Sequence, residues 1–206
     1  MENVKKSLLT IFPTVISNNF LEGMDEGNQQ ICRYIFELEN KKKNSVTRSN
    51  IGGFHSSGNI LFQNIPALIS LRKKVFEKLA AIDAHFYNKK YSYARTTIES
   101  WANVNRFGAY NSIHSHPNSR WSGVYYVTSN PEASLEHPLS GRFEFIDPRP
   151  AQSVAYFGEN AVDKKYLINP VAGQLLIFPS WLQHQVHPNF DNQPRISIAF
   201  NVAGLK

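Results

Sequence analysis

From about residue 91 to the end, the chain is a succession of short β-branched and aromatic runs broken by Gly, Pro, Asn and Asp, with no further long helical pattern. The runs fall at residues 94–105, 121–128, 142–146, 165–168, 174–178, 184–187 and 195–202. Each is too short to bury much surface alone, and no intervening helices are available to cover a parallel sheet. Strands of this kind must pack on one another, as a sandwich, a jelly roll or a barrel.

The first ninety or so residues carry a different periodicity. Between Asp25 and Glu39, the residues Ile31, Tyr34, Ile35 and Leu38 recur at i, i+3, i+4 and i+7, the spacing of one helix face. A second helix is marked by Asn64 as a cap, Pro66 in the first turn, and Leu68, Leu71, Val75, Leu79, Ile82 and Phe86 on one side. Arg72, Lys73, Glu77 and Lys78 supply its polar face. Residues 11–16 (IFPTVI) read as a short opening edge strand that tolerates Pro13, and residues 41–59 as a loop. The expected class is mainly β with flanking helices, the two N-terminal helices packing on one face of the larger sheet. With no repeat and no linker, residues 1–206 read as one domain, helical to about residue 90 and β from about 91 onward.

Charge and cysteine content narrow the setting. The net charge of +6 is partly local, in Lys41 to Lys43 and in Lys89 and Lys90, and no basic recognition helix or stacking motif accompanies it, so nucleic acid is not expected as a partner. The lone Cys32 cannot form an internal disulfide, and no secretory leader pattern or membrane-length apolar run is present. A soluble protein of the reducing cytoplasm is expected, with a homodimer left open.

The chemistry concentrates in two stretches. In GAYNSIHSHPNSRWSGVYYV (108–127), His114 and His116 stand one residue apart, so on an extended chain both imidazoles face the same way and can address one ion. In FPSWLQHQVHPNFDNQPRISIAFNV (178–202), a turn at residues 179–181 delivers His184, a third imidazole. His187 would point to the opposite side from His184, and His55, His85 and His137 lack such company and read as structural or solvent-facing. Three protein ligands on one side of an ion leave positions open for substrate or water, as a catalytic site requires. Downstream, Arg195 and Ser197 share one face of their strand and can jointly grip a carboxylate. Trp101, Asn103, Tyr110, Trp121, Tyr126 and Trp181 are candidates for the pocket wall, Tyr110 and Asn103 being the preferred polar contacts.

The pattern Tyr110, His114, His116 and Ser119 leading into SGVYYV, then GRFEFIDPRP, FPSWLQHQV and RISIAFN, resembles the 2-oxoglutarate- and Fe(II)-dependent oxygenases found in bacteria and their phages. The likeness spans most of residues 101–202 and extends weakly upstream into SNIGGFHS (49–56). It implies a double-stranded β-helix, a distorted jelly roll, holding Fe(II) on His114, His116 and His184, with Arg195 and Ser197 on the distal carboxylate of 2-oxoglutarate and Tyr110, Asn103 and Tyr126 lining the cosubstrate pocket. The implied reaction uses O2 to decarboxylate 2-oxoglutarate to succinate while hydroxylating an unidentified substrate. Relatives in the wider superfamily place a carboxylate where this chain has His116; a third neutral imidazole leaves the iron site at +2 rather than +1. Asp147 is the alternative carboxylate, with a turn role before Pro148 as the competing assignment. Two other readings remain at this stage: a cupin-like or zinc metalloenzyme that uses no 2-oxoglutarate, and a non-catalytic jelly-roll binding module.

Overall fold

Along β11 (Arg195–Ala203), alternate residues face opposite ways. Ile196, Ile198, Phe200 and Val202 enter one apolar core, whereas Arg195, Ser197, Ala199 and Asn201 line a cavity on the other side. In the computed structural model, which describes residues 11–41, 45–87, 97–129, 135–149 and 165–203, this division organises the whole fold.

Elements follow in the order β1 (Ser17–Phe20), α1 (Asp25–Asn40), β2 (Asn50–Ile51), β3 (Phe54–His55), a 3-10 turn (Ile60–Phe62) and α2 (Pro66–Tyr87). Then come β4 (Ile98–Asn105), β5 (Tyr110–His114), β6 (Ser119–Tyr126), β7 (Phe143–Ile146), β8 (Lys165–Ile168), β9 (Gln174–Pro179), β10 (His184–Val186) and β11. One sheet runs β1-β9-β6-β11-β4-β3 and the other β2-β5-β10-β7-β8. Every pairing is antiparallel, and sheet neighbours are mostly distant in sequence, the crossing connections of a jelly roll.

The helices cover one face of the larger sheet, as their periodicity predicts. Ile31 and Ile35 of α1 and Leu68, Leu71, Val75 and Leu79 of α2 join Ile98, Ala102, Tyr125, Leu175, Ile177 and Ile198 in one buried cluster. Polar contacts fix the docking: the Tyr125 hydroxyl donates to Asn28 Oδ1 of α1 at 2.7 Å, and the buried Asp83 of α2 pairs with Arg120 at 2.7 Å and accepts the Trp121 indole N–H at 3.1 Å. The opposite face joins the smaller sheet in a second cluster containing Val124, Tyr126, Phe143, Phe145, Leu176 and Phe178. Among the described residues, no helix is long and apolar enough to cross a membrane.

Three expectations need correction. Residues 11–16 form no strand: Phe12 has φ 53° and Pro13 has no N–H to donate, so the ladder starts at Ser17, opposite Ile177. The loop at 41–59 contains β2 and β3, two-residue edge strands concealed by their Ser, Asn and Gly neighbours. Tyr110 to His114 form a strand that the list of β runs omits. Lys42, Lys43, Lys89, Lys90 and residues 94–96 lie outside the described residues.

Gly123 sits on β6 with Phe200 as its cross-strand partner on β11, and a Cβ there would enter the Phe200 ring and come within 2.8 Å of the Leu176 carbonyl oxygen. Gly123→Ala is expected to cost about 1–3 kcal/mol by overpacking the seam between β6, β9 and β11. Chemical denaturation checks this, with the denaturation midpoint falling and the slope unchanged.

Candidate metal centre

The smaller sheet brings the distant histidines together. Strands β5 and β10 are antiparallel with His184 directly opposite His114, while Val186 is opposite Asn111. Two steps on β10 therefore match three on β5, a bulge that lets both Asn111 and His114 face the cavity. His116 follows the strand, anchored by its backbone N–H to the Ser180 carbonyl at 2.9 Å, before a turn with Asn118 at φ 63° returns the chain into β6. The three imidazoles offer nitrogen atoms all within 4.8 Å of one another. Their ring centroids lie 4.3 to 5.1 Å apart.

Burial decides the charge state of these rings. It pulls the His116 pKa down to about 4, with the neighbouring His114 adding to the effect. Desolvation also lowers His114, and it lowers His184 well below its ordinary value. All three are thus neutral near pH 7, the state in which an imidazole carries a lone pair for a metal. His114 Nδ1 lies 2.7 Å from the Ser112 carbonyl and His184 Nδ1 lies 2.9 Å from the Leu182 carbonyl. A carbonyl only accepts, so both rings carry their proton on Nδ1 and keep the lone pair on Nε2, which in His114 lies 3.4 Å from the Ser49 hydroxyl.

A cavity of about 600 Å³ opens on the three rings. One wall is the polar face of β11, with Arg195 2% and Ser197 1% exposed. The Arg195 Nε–H donates to the Gly141 carbonyl at 3.1 Å, and its guanidinium carbon stands 5.1 Å from the centre of the Tyr126 ring. Among the described residues, Asn103 Oδ1 is buried without a hydrogen-bond partner, and Arg195 Nη2 and the Tyr126 hydroxyl have at most each other. Ser197 pairs in register with Asn103 of β4 on one side and Tyr126 of β6 on the other. Four of the residues singled out in the sequence thus meet at one point, built around a fixed positive fork.

Other sequence candidates lie elsewhere. Tyr110 is absent from the cavity wall: it precedes Asn111, and where Asn111 faces inward its neighbour must face out. Trp121 belongs to the helix-side core, and Trp181 is 55% exposed on a neighbouring groove. Trp101 does line the cavity, stacked on His55 at 5.3 Å. His55 is therefore a cavity residue rather than an isolated structural one. His187 turns away from the centre to bind the buried Glu144 at 2.6 Å. Asp147 accepts from the Arg149 backbone and side chain, a turn role apart from the histidines. His85 packs edge-on to Phe86, and His137 stacks on Phe190. Sequence reasoning missed Ser49, Asn111 and Asn201 in the wall; of these, the period of two that links Arg195 to Ser197 would have reached Asn201.

A family model described as "Putative 2OG-Fe(II) oxygenase" matches residues 99–201. No curated protein matches the chain. Among solved structures, a Pseudomonas putida prolyl-4-hydroxylase shares the fold with a TM-score of 0.65 at 14% identity, covering 94% of each chain. A Trichoplax adhaerens prolyl hydroxylase, in complex with a peptide fragment of a hypoxia-inducible factor, aligns with a TM-score of 0.59 at 18% identity over 92% of this chain and 82% of that one. HygX from Streptomyces hygroscopicus, with nickel and 2-oxoglutarate bound, aligns with a TM-score of 0.59 at 12% identity over 92% and 83%.

The depressed histidines have a consequence for stability. Between the ordinary value of 6.5 and about 4, the unfolded chain takes up protons that the folded His116 refuses, and His114 and His184 act in the same direction. Folding stability of the metal-free protein is therefore expected to fall as pH drops through that window. Thermal unfolding at a series of pH values checks it, and His116→Gln should flatten the slope.

Proposed function

The chain belongs to the 2-oxoglutarate- and Fe(II)-dependent oxygenases, and from that membership we propose that His114, His116 and His184 hold the iron while Arg195, Ser197, Tyr126 and Asn103 seat the cosubstrate. The enzyme uses Fe(II), 2-oxoglutarate and O2. With iron bound, 2-oxoglutarate and O2 are converted to succinate and CO2, and the second oxygen atom goes into the substrate.

The observation that carries the assignment is the incompletely bonded polar group of the cavity. Among the described residues, the buried Arg195 Nη2 and Tyr126 hydroxyl have at most each other as partner, a costly state that a carboxylate placed between them would relieve. Arg195 makes no salt bridge with any described residue, so its charge is available to an anionic ligand. Burial lowers its pKa, but a guanidinium keeps its proton under all ordinary conditions. The Ser197 hydroxyl, 3.4 Å from Arg195 Nη1, is placed to share the same carboxylate. The donor set also suits iron: three neutral imidazoles on one side of the cavity leave the other side to cosubstrate and oxygen.

On this reading the protein does three things. It holds the distal carboxylate of 2-oxoglutarate so that the other end of the molecule reaches the histidines. It keeps bulk water off the reacting atoms by lining the inner cavity with Phe143, Phe178 and Val124. It leaves the more exposed part of the cavity, bordered by Arg48, Glu99 and Trp101, for the substrate. The peptide-bound prolyl hydroxylase and HygX, which is also solved with hygromycin B bound, are unlike each other in the molecules bound to them, and this chain stays with an unidentified substrate. We further propose that the helices and both sheets work as one domain, supported by the core that α1 and α2 share with the larger sheet. A reducing cytoplasmic setting fits the single half-buried Cys32. A homodimer adds nothing to the site, since one chain supplies every proposed residue.

Separate losses are expected from the two halves of the site. Arg195→Ala should raise the KM for 2-oxoglutarate at least about 30-fold, the loss of a buried charged hydrogen-bonding group, while leaving Fe(II) binding in place. His184→Ala should remove both Fe(II) binding and turnover. Succinate formation measured against cell-extract fractions, with metal binding followed anaerobically, separates the two; an unchanged KM in Arg195→Ala would overturn the cosubstrate assignment.

A further inference from the structure

The three imidazoles are not oriented by the same means. His114 and His184 each point Nδ1 at a backbone carbonyl, Ser112 and Leu182 respectively, and a carbonyl fixes the tautomer because it can only accept. Among the described residues, no carbonyl is hydrogen-bonded to the His116 ring. Its Nδ1 lies 3.3 Å from Asn201 Nδ2 on β11, and Asn201 Oδ1 accepts from the Ser122 hydroxyl on β6 at 2.8 Å. Asn201 and Ser122 are direct cross-strand partners, so the three groups form a row from the middle of the larger sheet to the metal centre.

An amide can be read in two directions. In the orientation the structure shows, its N–H₂ faces His116, so the ring must accept at Nδ1 and carry its proton on Nε2, which removes the lone pair the other two histidines offer. If its oxygen faces His116, the ring donates from Nδ1 and Nε2 is free, and the amide N–H₂ then donates to the Ser122 oxygen. A half-turn of the amide interconverts the two without moving any other heavy atom, since Ser122 serves equally as donor or acceptor. Only the second arrangement gives three equivalent Nε2 donors.

We infer that Asn201, backed by Ser122, is the positioning residue of the metal centre: with its amide turned by that half-turn, its oxygen accepts the Nδ1 proton of His116 and so holds that ring in the tautomer that leaves Nε2 to the ion. The inference rests on His116 being a ligand. It also explains how a histidine can serve where relatives in the wider superfamily place a carboxylate. A carboxylate needs no tautomer chosen for it, whereas a third imidazole does, and no backbone carbonyl is hydrogen-bonded to this one. Asn201 reaches it because residues 195, 197, 199 and 201 all face the cavity, which puts the carboxylate clamp and the histidine clamp on one face of one strand.

The test uses the full chain labelled with ¹⁵N-histidine, with Zn(II) as a diamagnetic stand-in for Fe(II). In the Zn(II)-loaded wild type, His116 is expected to carry its proton on Nδ1 in long-range ¹H–¹⁵N spectra, a readout that needs no substitution. Asn201→Leu, which keeps the shape and removes the acceptor, should weaken Zn(II) binding by about 10–100-fold, the usual effect of losing a partner behind a metal-bound histidine. Asn201→Asp, which can only accept, should restore binding to within about threefold of wild type. A purely structural role would not give this rescue. An unprotonated Nδ1 on His116 in the loaded wild type, or equal binding by wild type and Asn201→Leu, overturns the inference alone. Failure of the wild type to bind Zn(II) or Fe(II) overturns the ligand assignment, and this inference with it.

Discussion

The register of β10 against β5 is the interaction on which the site depends. His184 stands opposite His114 in that ladder and opposite Phe145 in the ladder with β7, so β10 is held on both edges. Side chains alternate along a strand, and a slip of one residue would turn His184 outward and bring Gln185 into the cavity. Gln185 and His187 instead face the far side, where both bind the buried Glu144. That outer cluster opposes the slip, because the alternative register would take Gln185 and His187 away from the buried Glu144 and bring Val186 against it. The bulge between Asn111 and His114 is the one irregularity the register carries, and it gives the cavity two residues that strict alternation would not.

The larger sheet supplies the other half of the site and much of the stability. Its helix-facing side is densely apolar, with Val104, Ile196, Ile198 and Leu175 at most 1% exposed. Its cavity-facing side contains Arg195, Ser197, Asn103 and Asn201, groups that gain nothing from burial on their own. The same strands thus carry a favourable and an unfavourable face, and the fold tolerates the second because α1 and α2 complete the first. Lost hydration of Arg195 and Tyr126 is left partly uncompensated by the protein itself, since Arg195 Nη2 and the Tyr126 hydroxyl have at most each other among the described residues. A ligand that completes those bonds acts on the folded state alone and is linked to stability by mass action.

Much of this was legible in residue order, for physical reasons that can be named. Helices α1 and α2 announce themselves because a packed helix must repeat its apolar residues at three and four, and both occur within a residue or so of the expected bounds. Strand β11 and the shared face of Arg195 and Ser197 were legible because period two connects the two residues without any knowledge of the fold. Short edge strands were not: β2 and β3 have two residues each, too few to show a period, and owe their existence to partners elsewhere in the chain. Strict alternation from His114 turns Tyr110 toward the cavity, and the bulge that turns it away cannot be seen in a single strand. His55 was missed since its role arises from stacking on Trp101, 46 positions away by number (101 − 55), a contact with no local signature.

The charge of the proposed centre has a consequence for cosubstrate exchange. Three neutral imidazoles leave a divalent ion at +2, and Arg195 adds one more positive charge in the same cavity; a carboxylate in place of His116 would reduce the total by one. A dianion is therefore held more strongly here than in a site with a carboxylate ligand, since attraction between charges grows as the surrounding dielectric falls. Succinate, the product, is also a dianion and presents Arg195 and Ser197 with the same distal carboxylate as 2-oxoglutarate. The clamp cannot tell them apart. Discrimination would fall on the other end of the molecule, where 2-oxoglutarate has a keto oxygen beside its carboxylate and succinate has none, and where His114, His116 and His184 would hold an ion able to take that oxygen. That places a premium on the geometry of the three imidazoles, and on the row from Ser122 through Asn201 that orients the least constrained of them.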